Sequence, residues 1–596
     1  MSEPEVTEAA SATSSSSAAA SERRQSRLAW FIAGLTVLST LIPYLIGASR
    51  ADGRRFMWLG YNLDDSCVYL SWMRQAADGS YRALNLFTTD PQHGMALNPL
   101  FLVLGRLAGW THLPLIAVYH GSRLLFGLVL LRLVWNFITL TVASARARIA
   151  AMLFVCFSAG LGWMPNWWGD PPIQTPIDKW QPEAITYLSL YLSPLFCFSM
   201  ALQVGALTLL FQGVRTGRMR YAVGAGLCGL VLGAVHTYDI LSLTAVWIVY
   251  LLLSTMRRGQ GETWNRSTPW LHALAAGAIT VPSVVYITLQ LASEAVFRAR
   301  AGVDTLTPLP VWVLLGYGLT ALLALGAAAV LLRKRRPAAD DAHPAETTWT
   351  TGRDAGRLLL VWAVVNVCIA YLPTSIQRKL LQGAHFPIAI LAGIGAVWLL
   401  QRLKPTAKPW QVAFKLAVLT LVLSLTNILF VLRDIGSYDD NLSQTRLQRT
   451  YLQPGEIEAL EWVRDHSPAS DALQPLPWIV QAGERSLRPY EESLACFAPG
   501  LIDRRVYCGH WGETPNFGSK LKDVMDLELA TTTDAARRAL LRRMGVRYLV
   551  FSQKSADDPF ADSHLPLFRG RLPMPAYLTL VYSSKDADVY AVSTDL

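Results

Sequence analysis

The clearest chemical feature of the sequence is a pair of adjacent carboxylates, Asp64 and Asp65, followed shortly by Tyr69. A carboxylate can act as a general base or help hold a divalent metal ion. The same acids also suit the first turn of an amphipathic helix, whose N-terminus favours negative charge. Because adjacent side chains on a helix diverge by about 100°, we expect the two carboxylates to have different roles.

Two other polar stretches lie between apolar runs. Residues 166–185 contain three acids and three tryptophans, which can form either a sugar-binding platform or an interfacial aromatic belt. The last acid of this stretch, Glu183, directly precedes an apolar run and is a candidate for substrate binding. His236 and Asp239 flank a short turn. They either bind substrate or simply occupy the turn, since a central membrane Asp costs about 3 kcal/mol.

The composition determines which elements must position these residues. The chain has 596 residues, of which 52% are hydrophobic and 16% charged. Soluble domains carry about 25% charge, so an ordinary cytosolic enzyme is excluded. A membrane-spanning helix needs about 20 apolar residues, and we expect about eleven such helices. They are predicted at 28–47, 114–140, 149–165, 186–212, 221–236, 240–256, 268–291, 310–332, 356–373, 383–400 and 410–432.

The net charge of +10 is concentrated in alternate loops. Cytoplasmic loops of membrane proteins are rich in Lys and Arg, so this pattern predicts a cytoplasmic N-terminus and does not require a nucleic-acid partner. We expect a disordered tail at 1–27, a transmembrane domain at 28–432 with a first outer loop at 48–113, and an extracytoplasmic domain at 433–596. A short apolar run at 98–111 is expected to be re-entrant or interfacial.

Cations on the opposite side need a separate explanation. Arg378 and Lys379 fall in an outer loop, and His385 marks the outer end of the next helix. Arg binds phosphate through two hydrogen bonds and Lys as a point charge, so the pair predicts a phosphate site. Contact with lipid headgroups, or pairing with acids, is the alternative.

The C-terminal region has the pattern of an α/β or α+β domain. A helix is predicted at 454–466 and strands at 547–552, 578–582 and 589–592. Cys496 and Cys508 can either pair or remain free. A polar and aromatic cluster that includes His510, Trp511 and Glu513 either faces a cavity or forms a structured loop.

These features together resemble the C-type glycosyltransferase superfamily (GT-C), which includes protein O-mannosyltransferases and aminoarabinose transferases. The resemblance rests on Asp64-Asp65 followed by Tyr69, on Gln377-Arg378-Lys379 followed by Pro387, and on their order and sidedness. It covers essentially the whole chain after the N-terminal tail.

The resemblance implies a membrane glycosyltransferase that moves a sugar from a polyprenyl-phosphate donor to a lipid, glycan or protein acceptor, with inversion. It assigns the catalytic base to Asp64 or Asp65, of which we favour Asp64. The first loop has no Asp-X-Asp motif, so dependence on a divalent metal stays open. The alternatives are a flippase or transporter for lipid-linked sugars, and a non-catalytic membrane scaffold.

Overall fold

The structure is a computed structural model that describes residues 3–164, 174–256, 268–333, 349–442, 448–477, 479–481, 487–489, 494–552 and 574–595. The chain forms two compact units, each made of three separate stretches. Unit 1 contains Met1–Leu41, Arg123–Ser283 and Thr305–Phe430, and unit 2 contains Ile42–Ser122, Val284–Asp304 and Val431–Leu596.

The described residues form 21 α-helices. In chain order they are α1 (Glu3–Ser39), α2 (Ile42–Ser49), α3 (Leu63–Ala77), α4 (Pro99–Thr111), α5 (Leu115–Thr141), α6 (Ala145–Phe157), α7 (Thr186–Leu192), α8 (Pro194–Thr216), α9 (Met219–Val235), α10 (Asp239–Met256), α11 (Thr268–Ser293), α12 (Ala295–Ala301), α13 (Pro310–Leu332), α14 (Arg353–Ile369), α15 (His385–Leu403), α16 (Pro409–Leu423), α17 (Leu425–Ser437), α18 (Pro454–His466), α19 (Ala498–Ile502), α20 (Phe517–Glu528) and α21 (Asp534–Met544).

Seven helical segments of the described chain are long and apolar enough to cross a membrane, so this is a multi-pass membrane protein. The bent pair α16 and α17, which turns by 47°, makes eight if it is one span. The seven segments are Ala19–Ser49, Leu115–Thr141, Pro194–Thr216, Asp239–Met256, Thr268–Ser293, Pro310–Leu332 and Gln377–Leu403.

The expected count of eleven is not confirmed, because three of the predicted runs form shorter helices. They are α6, α9 and α14, which have 13, 17 and 17 residues. At a rise of 1.5 Å per residue, helices of this length extend for roughly 20–26 Å, against a hydrocarbon core of about 30 Å.

Proline and glycine explain several local breaks in unit 1. Pro194 begins α8 and separates it from α7, because proline is favoured in the first turn of a helix but disrupts its interior. Gly318 has φ +43° and produces a kink within α13. Gly160 and Gly316 approach each other so closely that a Cβ on either would overlap its neighbours, which fixes the chain after α6 against α13.

Unit 2 contains all the described strands: β1 (Arg55–Phe56), β2 (Arg82–Ala83), β3 (Met95–Ala96), β4 (Tyr451–Leu452), β5 (Ala472–Leu476), β6 (Ile479–Gln481), β7 (Leu487–Pro489), β8 (Arg505–Val506), β9 (Tyr548–Ser552), β10 (Leu578–Ser583) and β11 (Ala587–Val592). Five of them form a sheet in the order β10-β11-β9-β5-β8, in which β5 is parallel to both β8 and β9. The predicted C-terminal helix and three strands are therefore confirmed, with small shifts at their ends.

Two contacts connect the first loop to this sheet domain within unit 2. Strand β1 pairs with β4 in antiparallel register, with Phe56 opposite Tyr451. Leu63 and Cys67 of α3 belong to the same apolar core as Leu473 of β5. Helix α3 is thus packed against the C-terminal part of the chain. Cys496 and Cys508 are both buried free thiols, so they do not form a disulfide.

Candidate active site

The carboxylate pair lies in the first turn of α3. Asn62 is the N-cap residue and adopts the left-handed conformation, with φ 53°. Its side-chain amide donates to Asp65 Oδ2 at 2.5 Å. Carboxylates in the first turn interact favourably with the positive end of the helix dipole. The local sequence therefore explains why these acids start a helix here.

A loop from the distant C-terminal region completes this cluster. Trp511 Nε1 donates to Asp64 Oδ2 at 2.8 Å, although the two residues are 447 positions apart. His510 Nε2 lies 3.8 Å from Asp64 Oδ2 and 3.6 Å from Asp65 Oδ1. The side chain of Asp64 is only 1% exposed, whereas that of Asp65 is 43% exposed. The two carboxylates thus have different environments, as their helical spacing predicted.

The tautomer of His510 follows from its other ring nitrogen. Nδ1 accepts hydrogen bonds from the backbone N–H groups of Gly512 at 3.0 Å and Glu513 at 3.1 Å. The ring proton therefore lies on Nε2, which faces both carboxylates. Burial disfavours the charged imidazolium, but the interaction of its N–H with the Asp65 carboxylate and the negative charges of Asp64, Asp65 and Glu513 outweigh burial and raise the pKa of His510.

Arg300 adds a cation to the edge of this cluster. Its Nε lies 2.6 Å from Glu513 Oε1, and its guanidinium lies 4.9 Å from the centre of the Trp72 ring. The backbone carbonyl of Glu513 also accepts a hydrogen bond from Asn85 at 2.8 Å. Acid, base, aromatic and cationic side chains are therefore held together by partners within unit 2.

A second polar cluster lies in unit 1, around the turn between α9 and α10. His236 Nδ1 donates to Asp239 Oδ2 at 2.8 Å, and Tyr238 donates to His236 Nε2 at 2.7 Å. Gln382 donates to the same oxygen of Asp239 at 2.6 Å and to Ser199 at 2.8 Å. Both members of the Asp–His pair are buried.

The two predicted phosphate-binding cations lie in a 3₁₀ helix, Gln377–Leu381, in unit 1. The ammonium of Lys379 is 4.8 Å from the centre of the Tyr238 ring, so it is connected to the second cluster. The guanidinium of Arg378 is 5.5 Å from the centre of the Trp180 ring. Its Nε is buried and has no hydrogen-bond partner within the described part of the chain.

The remaining predicted residues of unit 1 are His385 and Glu183. His385 is buried, with Nε2 3.1 Å from Ser158 Oγ and Nδ1 2.8 Å from Thr186 Oγ1. Glu183 is half-buried in a short 3₁₀ helix, Pro182–Ala184. Of the nearby acids, Asp178 is buried and accepts from the backbone of Gly160 at 2.9 Å. Residues 165–173, which include two of the predicted tryptophans, lie outside the described residues.

The sequence leaves open whether the carboxylates depend on a divalent metal. Across the described ranges, no group of three or more His, Cys, Asp or Glu side chains has a geometry that could hold a metal ion. The donor set around Asp64 and Asp65 therefore does not fit a metal site as it stands, and no chemical step is assigned to one.

No protein-family model matches the chain, and no curated protein matches it. Solved structures do match its fold. An archaeal oligosaccharyltransferase, AglB from Archaeoglobus fulgidus, in complex with an inhibitory peptide and a dolichol-phosphate, aligns at a TM-score of 0.50 and 13% identity. The alignment covers 87% of this chain and 69% of the other.

The chain therefore shares its fold with this oligosaccharyltransferase, a C-type glycosyltransferase. The resemblance predicted from the sequence is thus confirmed at the level of fold. The aminoarabinose transferase ArnT from Cupriavidus metallidurans, in its apo state, also aligns, with a TM-score of 0.49 and 13% identity. That alignment covers 94% of this chain and 97% of ArnT.

Sequence reasoning found the two acids but not the contacts that orient them. His510, Trp511 and Glu513 stood out only as a polar and aromatic cluster. Nothing local in the sequence connects them to α3, because the contact requires the C-terminal sheet to fold against it. In unit 1, the sequence placed His236 and Asp239 at one turn but did not predict that Gln382, from a distant segment, donates to Asp239.

Proposed function

We propose that the protein is a membrane glycosyltransferase that moves a sugar from a polyprenyl-phosphate donor to an acceptor at the outer face of the membrane. The observation that carries this proposal is the carboxylate cluster of α3, in which Asp64 is oriented by Trp511 and faces His510. The oligosaccharyltransferase of similar fold was solved with a dolichol-phosphate, which supports a lipid-phosphate donor here.

In this proposal, Asp64 is the general base. It takes the proton of the acceptor hydroxyl as the acceptor oxygen bonds to the anomeric carbon. The bond between that carbon and the phosphate oxygen breaks, and the phosphate leaves with the bonding electrons. A single in-line displacement inverts the anomeric centre. Phosphate is a good leaving group, so the reaction needs no separate general acid.

Arg378 and Lys379 are proposed to contact the donor phosphate and stabilise its growing charge. The buried Nε of Arg378 has no hydrogen-bond partner among the residues that the structure describes, which supports this role because an anion would supply one. Tyr238 lies against Lys379 and is held by His236 and Asp239, which we propose act through it. Glu183 is proposed to bind sugar hydroxyls, and His385 to position the start of α15.

We further propose that α6, α9, α14 and the bent pair all span the membrane, which gives eleven spans. The N-terminus is then cytoplasmic, and residues from about 433 onward are extracytoplasmic, as the basic clusters predict. This assignment follows from the loop charges in the sequence. It also places the tail 1–27 inside and the transmembrane domain at 28–432.

Cysteine labelling tests this topology. Arg146→Cys lies in an exposed position after the second span, and Asp439→Cys replaces a side chain that is 65% exposed. Both are made in a Cys368→Ser background, since Cys368 is the exposed native thiol. A membrane-impermeant maleimide added to intact cells should label 439 and not 146. Labelling of 146 alone would overturn the proposed sidedness.

The reaction itself is tested with the purified chain and a radiolabelled polyprenyl-phosphate sugar. We expect sugar to move to an acceptor fraction from the membrane, with release of polyprenyl phosphate. Translocation of the donor across vesicles without transfer would instead identify a flippase. Donor binding with neither sugar transfer nor donor translocation would favour the third alternative, a non-catalytic membrane scaffold.

A further inference from the structure

Unit 2 contains a cavity of about 540 Å³. None of the residues that line it belongs to the carboxylate cluster of Asp64, Asp65, His510 and Trp511. Its lining combines three arginines, Arg54, Arg55 and Arg74, with large apolar side chains that include Trp58 and Phe497. No Asp or Glu is among the described residues that line it. The volume falls within the range of about 300–1,000 Å³ that is usual for small-ligand pockets.

The three arginines are available to an anion. Arg54 donates through Nε to the carbonyl of Ala51 at 3.3 Å, and Arg74 donates through Nε to the carbonyl of Gly500 at 3.4 Å. Within the described residues, none of the three forms an ion pair with a carboxylate, and the guanidinium of Arg54 also lies 4.5 Å from the centre of the Tyr451 ring. Their terminal nitrogens can therefore bind a phosphate in the paired geometry that guanidinium favours.

The backbone at this cavity supports a binding role. Trp58 has φ 58°, a left-handed conformation that is uncommon for a bulky residue. Its carbonyl oxygen lies 2.8 Å from His120 Nε2, which holds the peptide in place. Strained backbone of this kind concentrates at sites where a ligand is bound.

The position of the cavity in the chain indicates what kind of anion it meets. Ala48 belongs to the last turn of the candidate span Ala19–Ser49, and Leu115 begins the span Leu115–Thr141. The cavity therefore lies where two spans end, at the boundary between membrane and water. An anion that arginines meet at this depth is the phosphate of a lipid headgroup, which guanidinium binds through paired hydrogen bonds.

We propose that this cavity binds an anionic phospholipid of the adjacent leaflet. Arg54, Arg55 and Arg74 contact the phosphate, and the apolar lining takes the glycerol and the upper acyl chains. Three cations in a loop predicted to be extracytoplasmic are otherwise unexplained, because cationic loops are normally cytoplasmic. This lipid site goes beyond sugar transfer and does not depend on it.

The test is lipid binding by native mass spectrometry of the detergent-purified chain, titrated with phosphatidylglycerol or phosphatidylcholine. We expect the wild-type chain to retain phosphatidylglycerol preferentially. The double variant Arg54→Gln/Arg74→Gln should lose about tenfold to a hundredfold in affinity. The control is Arg82→Gln, because Arg82 also donates to a backbone carbonyl, that of Gly94, but does not line the cavity.

A second variant distinguishes loss of the lipid contacts from misfolding of the chain. Arg54→Lys/Arg74→Lys keeps the charge and should retain part of the lipid affinity, with a melting temperature close to that of the double Gln variant. Equal retention of both lipids by the wild-type chain would identify annular lipid only and overturn the proposal. Unchanged phosphatidylglycerol binding in the Gln variant would also overturn it. Neither result bears on glycosyl transfer, which is measured separately.

Discussion

The chain contains two buried Asp–His arrangements that differ in how they are built. In unit 1, His236 and Asp239 are three residues apart and form a 2.8 Å hydrogen bond, and Gln382 donates to the same carboxylate oxygen. In unit 2, His510 lies 3.6 Å or more from the carboxylates, and one of these, Asp65, is 43% exposed. The first arrangement is closed by short bonds between protein groups. The second has longer distances between the imidazole and the carboxylates, and it places the buried Asp64, the proposed base, beside the accessible Asp65.

The largest effect is expected at Asp64. Asp64→Asn keeps the shape and removes the basicity, and loss of a general base typically costs about 10²–10⁴ in rate. We expect transfer to fall by this factor while donor binding persists. Asp65→Asn is the matched control and should act more on folding or acceptor binding. If Asp64→Asn keeps near-normal turnover and Asp65→Asn loses it, Asp65 is the base and Asp64 has the other role. If both variants keep normal turnover, neither carboxylate is the base.

The next effect concerns the donor phosphate. Arg378→Ala should weaken donor binding by roughly tenfold to a hundredfold, because a hydrogen bond to a charged group contributes about 1.5–3 kcal/mol. Arg378→Lys should restore only part of the affinity. Arg402→Ala is the control, since Arg402 also lies over a tryptophan, at 5.6 Å from the Trp398 ring. Unchanged donor affinity in both Arg378 variants would assign this cation to lipid contact.

The smallest effect on activity is expected from the closed pair. Asp239→Asn weakens the bonds from His236 and Gln382, so we expect the free energy of unfolding to fall by about 1.5–3 kcal/mol. Donor affinity should fall less than in Arg378→Ala, because Asp239 acts through His236 and Tyr238. Thermal unfolding and donor titration of the same sample separate the two effects.

Asp354→Asn is the control for this stability effect. Asp354 also pairs three residues along a helix, with Arg357 at 3.0 Å, but its side chain is 26% exposed. A partly exposed pair contributes about 0–1 kcal/mol. If Asp239→Asn were no more destabilising than Asp354→Asn, the closed arrangement would not be structural.

The sequence predicted most helices because long apolar runs leave few alternatives, but it did not predict where they break. The run at 186–212 continues through Ser193 without a loss of hydrophobicity, yet Pro194 starts a new helix there. Likewise, α6 ends at Phe157, eight residues before its apolar run does, because the chain then packs closely against Gly316. The first break comes from a proline that a hydropathy window averages out, and the second depends on a tertiary contact that hydropathy does not encode.

The candidate site was predictable only in part, for a related reason. Residue type and helical position identified Asp64 and Asp65. The donor to Asp64 comes from a loop hundreds of residues later, and the closeness of Trp511 to Asp64 depends on how β5, β8 and α3 pack in unit 2. A single sequence records neighbours along the chain, not neighbours in space.

The same separation has a consequence for the biogenesis of the protein. Ribosomes add about 5–20 residues per second, so the 447 residues between Asp64 and Trp511 take on the order of 20–90 s to synthesise. All seven candidate spans precede Trp511 in the chain. Membrane insertion therefore begins and largely ends while Asp64 still lacks its indole donor. A chain terminated before the last 86 or so residues would enter the membrane with every span present and an unfinished carboxylate cluster.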